Sequence, residues 1–192
     1  MARVFVDTNV LFPFSIMDMM LSLAEDFVHD FMWSDRLLAE WQRVIVREEH
    51  RSPEAARRIT DHIRLGFADT CVTEDQYKHL FAELDGPDPD DVHHMAAAVA
   101  ARAEALITWN LSDFPTALLG PHGITVTPPD PYLCALLDQQ PDEVLTTLQR
   151  MAAGKRRPPM TAMDVTDALY RAGVPAFAHR ARGLFADRRK LY

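Results

Sequence analysis

The first apolar run of the chain is short and unbroken. VFV at residues 4–6 is β-branched or aromatic throughout, the pattern of a strand covered on both faces in a parallel sheet, and it stops at Asp7. Apolar groups at helical spacing then predict a helix over residues 16–29 and a second over 34–49, capped by Ser34, with Leu37, Leu38, Trp41, Val44 and Ile45 on one face. Ser52, Pro53 and Glu54 form a cap, a first-turn proline and an acid suited to the helix dipole, so a third helix runs to about residue 66. A short apolar piece at Cys71 and Val72 precedes a helix over 73–84. DGPDPDD at 85–91, with two prolines, must be a loop.

Asp90 or Asp91 then opens an alanine-rich helix, VHHMAAAVAARAE, which leads into the strand ALITW at 105–109. FPTALLG predicts a short helix and ITV at 124–126 another strand. Three later helices start near Pro131, Pro141 and Thr161. Strands alternating with helices over the first 130 residues predict an α/β class, with a central, mainly parallel sheet in a three-layer α/β/α arrangement. In such sheets the ligand crevice lies at the C-terminal strand ends, where Asp7 falls. AGKRRPPM at 153–160 is linker-like, so the expected division is a main domain over 1–140 and a small helical extension over 141–192.

Composition narrows the class. With 192 residues and 48% hydrophobic content, the chain can bury one full core and carry a small appendage. Cys71 and Cys134 lie far apart and no secretory leader opens the sequence, so a cytoplasmic protein with reduced thiols is expected. No apolar run reaches the roughly 18 residues of a membrane span. The net charge of −8 argues against broad nucleic-acid affinity, which comes from neutralising phosphates with Lys and Arg. The charge is uneven: residues 1–149 hold 10 Lys or Arg against 25 Asp or Glu, and residues 150–192 hold 10 against 3. A basic tail (Lys155, Arg156, Arg157, Arg180, Arg182, Arg188, Arg189, Lys190) is thus expected to grip the acidic body or bind a partner.

Four acids occupy positions that can face one crevice. Asp7 ends a strand, Glu40 lies on an early helix, Asp91 opens a helix, and Asp113 follows ALITW within TWNLSDF. Converging at about 5 Å, each like-charged pair costs roughly 3 kcal/mol, and six pairs approach ~20 kcal/mol. Such a cluster needs protons or a cation, and hard carboxylate oxygens without thiolates suit Mg²⁺ or Mn²⁺. Each acid also has a plainer role open to it. Asp7 and Asp91 can cap, Asp113 can end a turn, and Asp35, Glu48 or Glu49 can stand in for Glu40. His93 and His94 point about 100° apart on an ideal helix and are assigned to packing or surface rather than to a metal, and the two thiols are read as buried. No GxxxxGK[ST], GxGxxG or GxSxG motif supports an NTPase, a dinucleotide enzyme or a serine hydrolase.

Taken in order, VFVDTNVL, LLAEWQRVI, DPDDVHHMAAAVAARAEALITWN and NLSDF resemble the PIN domain family over roughly residues 2–130. More narrowly they resemble its toxin-like, VapC-type bacterial branch, whose members are metal-dependent ribonucleases commonly restrained by a cognate antitoxin. The resemblance implies Asp7, Glu40, Asp91 and Asp113 as catalytic and metal-holding acids, with Asp90 as the alternative to Asp91. Thr8, Asn9 and Asn110 match its flanking polar positions. It further implies Mg²⁺ or Mn²⁺ as cofactor, RNA as substrate, an antitoxin protein as partner, and a homodimer. Arg43, Arg47 and the basic tail are candidates to meet the RNA backbone, and the two arginines can instead simply pair with neighbouring acids. Two other classes compete. One is a PIN-like binding module without turnover. The other is an aspartyl phosphatase, which commonly carries a second Asp where Asn9 stands.

Overall fold

The computed structural model describes residues 1–84 and 86–189. The strands are β1 (Ala2–Val6), β2 (His29–Met32), β3 (Ala105–Ile107) and β4 (Thr125–Thr127). The helices are α1 (Phe14–Glu25), α2 (Asp35–Arg47), α3 (Pro53–Gly66), α4 (Glu74–Tyr77), α5 (Val92–Ala100), α6 (Thr116–Leu119), α7 (Pro129–Gln139), α8 (Pro141–Gly154), α9 (Ala162–Arg171) and α10 (Pro175–Arg189). All strand pairs are parallel, in the order β2-β1-β3-β4, with Phe5 opposite Met32 on one side and Leu106 on the other. Val4, Phe5 and Val6 are fully buried, as an all-apolar inner strand requires. The α/β class and the parallel sheet agree with the alternation in the sequence.

Backbone contacts divide the chain into two compact units. One joins residues 1–12 to 29–127; the other joins 13–28 to the chain from 128 on. The first unit holds the whole sheet with α2 to α6. Ser34 caps α2 by accepting from the Leu37 N–H at 3.2 Å, and Ser52 caps α3 by accepting from Ala55 at 3.3 Å, as expected from their positions. Trp41 ties α2 to the turn after β1 through its indole N–H, which donates to the Leu11 carbonyl at 3.1 Å.

The second unit is helical among the described residues. Ile16, Met19, Met20 and Leu23 of α1 are fully buried, and α1 packs against α8 and α9. Arg150 closes the C-terminal end of α1. It donates to Glu25, to Asp26 and to the Ser22 carbonyl, the charge sign that a helix C-terminus favours. At the start of α10 the Ala176 and Phe177 N–H groups donate to Asp130 of α7 at 3.0 and 2.8 Å, which satisfies donors that have no intrahelical partner. This unit takes in α1 and α7 as well as the stretch from residue 141.

Several elements differ from the sequence expectation. The helix expected over 16–29 ends at Glu25, and His29–Met32 is a strand. Phe27, at φ +58, turns the chain, and no glycine marks the place. The strand expected over 105–109 stops at Ile107, and the helix expected over 73–84 is one turn, α4, followed by a 3-10 turn at Lys78–Leu80. The tail has four helices rather than three, because Gly173 at φ +104 and Pro175 separate α9 from α10.

The basic tail also changes character. Within the second unit Lys155 pairs with Asp18, Arg150 with Glu25 and Asp26, Arg180 with Asp138, Arg182 with Asp167, and Arg188 with Asp142. Lys190 and the side chain of Arg189 lie outside the described residues. By sequence the unit holds ten Lys or Arg against ten Asp or Glu, so the net charge of −8 sits in the first unit, with ten against eighteen. Among the described residues no helix is long and apolar enough to cross a membrane.

Candidate functional site

The site is built outward from the end of β1. Asp7 continues the sheet by donating its N–H to the Ile107 carbonyl at 2.9 Å, and the residue is 4% exposed. Leaving a carboxylate there requires a donor, and Thr108, itself fully buried one residue beyond β3, supplies it. Its hydroxyl donates to Asp7 Oδ2 at 2.7 Å. Thr108 Oγ1 itself accepts from Asn9 Nδ2 at 3.4 Å and from the Asn110 N–H at 2.9 Å, so the one donor and two acceptor sites of the hydroxyl are all used. Asn9 Oδ1 in turn accepts from the Trp109 N–H at 3.3 Å. Asn9 and Asn110 thus support Asp7 through Thr108, a residue the sequence reading passed over as the end of an apolar strand.

Glu40 projects from α2, on the same side as buried Leu37 and Trp41, toward the first turns of α5. There it meets both histidines. Its Oε2 lies 3.1 Å from His93 Nε2 and 3.2 Å from His94 Nε2, and His94 Nε2 also lies 3.3 Å from Thr8 Oγ1 and 3.8 Å from Asp7 Oδ1. Both rings are buried, and neither Nδ1 has a hydrogen-bond partner among the described residues. A proton on Nδ1 would be stranded, which favours the tautomer with Nε2–H turned toward Glu40. The packing role assigned to these histidines is therefore incomplete. Their directions differ, but Glu40 lies where the two imidazoles converge, with ring centroids 3.9 Å apart.

Asp91 immediately precedes α5 yet makes no side-chain capping hydrogen bond; its backbone alone is used, the carbonyl accepting from His94 and Met95 and the N–H donating to the Asp88 carbonyl. Its carboxylate joins Asp7 and His94 in a group whose ligand atoms lie within 4.8 Å of one another, and Glu40, His93 and His94 form a second such group. Asp90 is exposed and belongs to neither; its N–H donates to Asp88 Oδ1. Asp113, half-buried at the end of a 3-10 turn, also lies outside both groups, but its charge acts on Asp91. Arg47 pairs with Glu48, and Arg43 is exposed on α2.

Electrostatics register the crowding. Burial, and then the charge of Asp7, push the Asp91 carboxyl up to about 6. Burial also raises Asp7, against the opposing influence of His94 and the Thr108 hydrogen bond. For Glu40 burial works in the same upward sense, but the two imidazole donors outweigh it and hold the group well below the usual carboxylate range. Burial lowers His93 to about 4, so this ring is neutral at pH 7. Two acids forced toward their protonated forms beside a third held ionised make a donor set that suits a hard divalent cation, with Glu40 Oε1 left open by the histidines. The imidazoles make Mn²⁺ as acceptable as Mg²⁺.

Residues 3–112 match a family model described as PIN domain, and residues 129–183 match one described as VapC50 C-terminal domain. The first match contains Asp7, Glu40 and Asp91 and stops one residue before Asp113. A curated protein of Mycobacterium tuberculosis, "Putative ribonuclease VapC50", is 39% identical over 95 residues. That alignment covers 50% of this chain and 56% of the relative, so it spans little more than half the relative's length. No solved structure matches the chain.

Proposed function

Since the chain belongs to the PIN domain family, we propose that it is a divalent-metal-dependent endoribonuclease, the toxin of a toxin–antitoxin pair, held in check by an antitoxin protein. The observation that carries this reading is the convergence of Asp7, Glu40 and Asp91, from three separate elements, on two buried histidines. Structural ion pairing does not account for it, because among the described residues no Lys or Arg pairs with any of these acids.

Asp7, Glu40 and Asp91 would hold Mg²⁺ or Mn²⁺, with Asp113 adding negative charge at the rim. When bound, such an ion offsets charge building on the phosphodiester and acidifies nearby water. The protein's own groups set the geometry. Thr108 fixes Asp7 through Oδ2 and leaves Oδ1 on the cluster side, where His94 lies. His93 and His94 fix Glu40 through Oε2. The net reaction adds water across one phosphorus–oxygen bond, with one proton passing to the departing oxygen.

Purified protein is expected to cut a mixed RNA pool with Mg²⁺ or Mn²⁺, and to lose that activity in EDTA or on Asp7→Asn substitution. Cleavage that persists in EDTA and in Asp7→Asn refutes the mechanism. RNA binding without turnover favours a binding module, and a trapped phospho-aspartate favours a phosphatase.

A further inference from the structure

Trp33 and Trp41 are 3% and 0% exposed, whereas Trp109 is 36% exposed. Trp109 directly follows Thr108, the residue that holds Asp7, and its N–H is fastened to Asn9 Oδ1. Leu111, 47% exposed, stands two residues further on. Two large apolar side chains are thus open to solvent on the loop that leaves the C-terminal end of β3, on a backbone anchored to the acid cluster.

The charge of the first unit says what covers them. With ten basic groups against eighteen acids, the net charge of the unit opposes a phosphate backbone rather than gripping it. Affinity for a nucleic acid must then come largely from its bases, and an accessible indole on the residue that follows the anchor of Asp7 provides a face for one. A base inside a duplex has both faces covered by its neighbours, so only an unpaired base can use it.

We infer that Trp109, extended by Leu111, is the base-stacking residue that receives the nucleobase next to the scissile phosphodiester and confines the enzyme to single-stranded RNA. The inference rests on the nuclease reading above, and its test separates the two. Because the other two tryptophans are buried, a fluorescence change caused by a ligand at the surface reports Trp109. Asp7→Asn protein in Mg²⁺ is titrated with a short oligouridylate, and then with the same strand annealed to its complement. The single strand is expected to quench emission and shield it from acrylamide; the duplex is not. Added to the Asp7→Asn background, Trp109→Ala should weaken oligouridylate binding roughly 5- to 150-fold and Trp109→Phe only slightly, both folded by thermal melting. Quenching that is absent, or equal for duplex and single strand, overturns the inference, as does Trp109→Ala binding oligouridylate as well as its Asp7→Asn parent. Quenching by a strand that the unsubstituted protein never cuts upholds the stacking site and overturns the nuclease reading.

Discussion

Replacing Thr108 by valine preserves the branched shape of a fully buried side chain and deletes one hydroxyl. That hydroxyl donates at 2.7 Å to the buried Asp7 carboxylate, accepts from the Asn110 N–H at 2.9 Å and makes a longer contact of 3.4 Å with Asn9. A hydrogen bond to a charged group is worth about 1.5–3 kcal/mol and a neutral one about 0.5–1.5 kcal/mol, so the expected loss is about 2–4 kcal/mol. At about 2–4 °C per kcal/mol for a chain of this size, melting should fall by roughly 5–15 °C. The loss also depends on pH. Thr108 lowers the Asp7 pKa against the dominant effect of burial, so the valine variant raises it further. The variant's native state then holds the Asp7 proton to higher pH, and its deficit grows as pH rises through that window. Scanning calorimetry in EDTA at pH 5 and pH 7.5 measures both effects. Thr108→Ser, which keeps the hydroxyl and loses one methyl, should cost only about 1 kcal/mol. Equal melting of Thr108→Val and the unsubstituted protein, or equal damage from valine and serine, would refute the role given to this hydroxyl.

Asp91→Asn should stabilise the metal-free protein at pH 7.5. The folded-state pKa of about 6 lies above the ordinary carboxylate value, so ionisation of Asp91 lowers stability as pH rises through 6, and the gain should vanish near pH 4. Melting curves in EDTA across that range check the sign, and added Mn²⁺ should stabilise the unsubstituted protein more than the variant. Truncation after residue 140 removes α8 and α9 and strips the fully buried face of α1, so the fragment is expected to aggregate or bind a hydrophobic dye. A monomeric, cooperatively melting 1–140 fragment would show that the later helices are dispensable.

Much of this could be read from the residues, and the gaps have physical causes. β1 was legible because three apolar residues in a row leave few alternatives to a doubly covered strand. β2 was not, because an edge strand with His29 and Asp30 carries no strong apolar pattern and its turn lacks glycine. Asp7 announced itself by interrupting a strand. Nothing in the sequence separates Glu40 from Asp35 or Glu48; the fold does, by pairing those two with Arg64 and Arg47 at the surface and turning Glu40 toward the histidines. Ideal helical geometry points His93 and His94 apart, and that geometry ignores the reach of an imidazole. Thr108 looked like the continuation of an apolar strand, and only the register of β3 beside β1 reveals what its hydroxyl does.

Parallel pairing has a consequence for how the protein comes into being. Asp7 and its anchor Thr108 are 101 residues apart, joined by a crossover that includes β2, α2 and α5. Contacts of such sequence separation form late, after loop closure has been overcome. A nascent chain emerging from the ribosome therefore carries Asp7 as an unanchored aspartate, and whatever chemistry the finished pocket performs is withheld until β3 has been made and has docked.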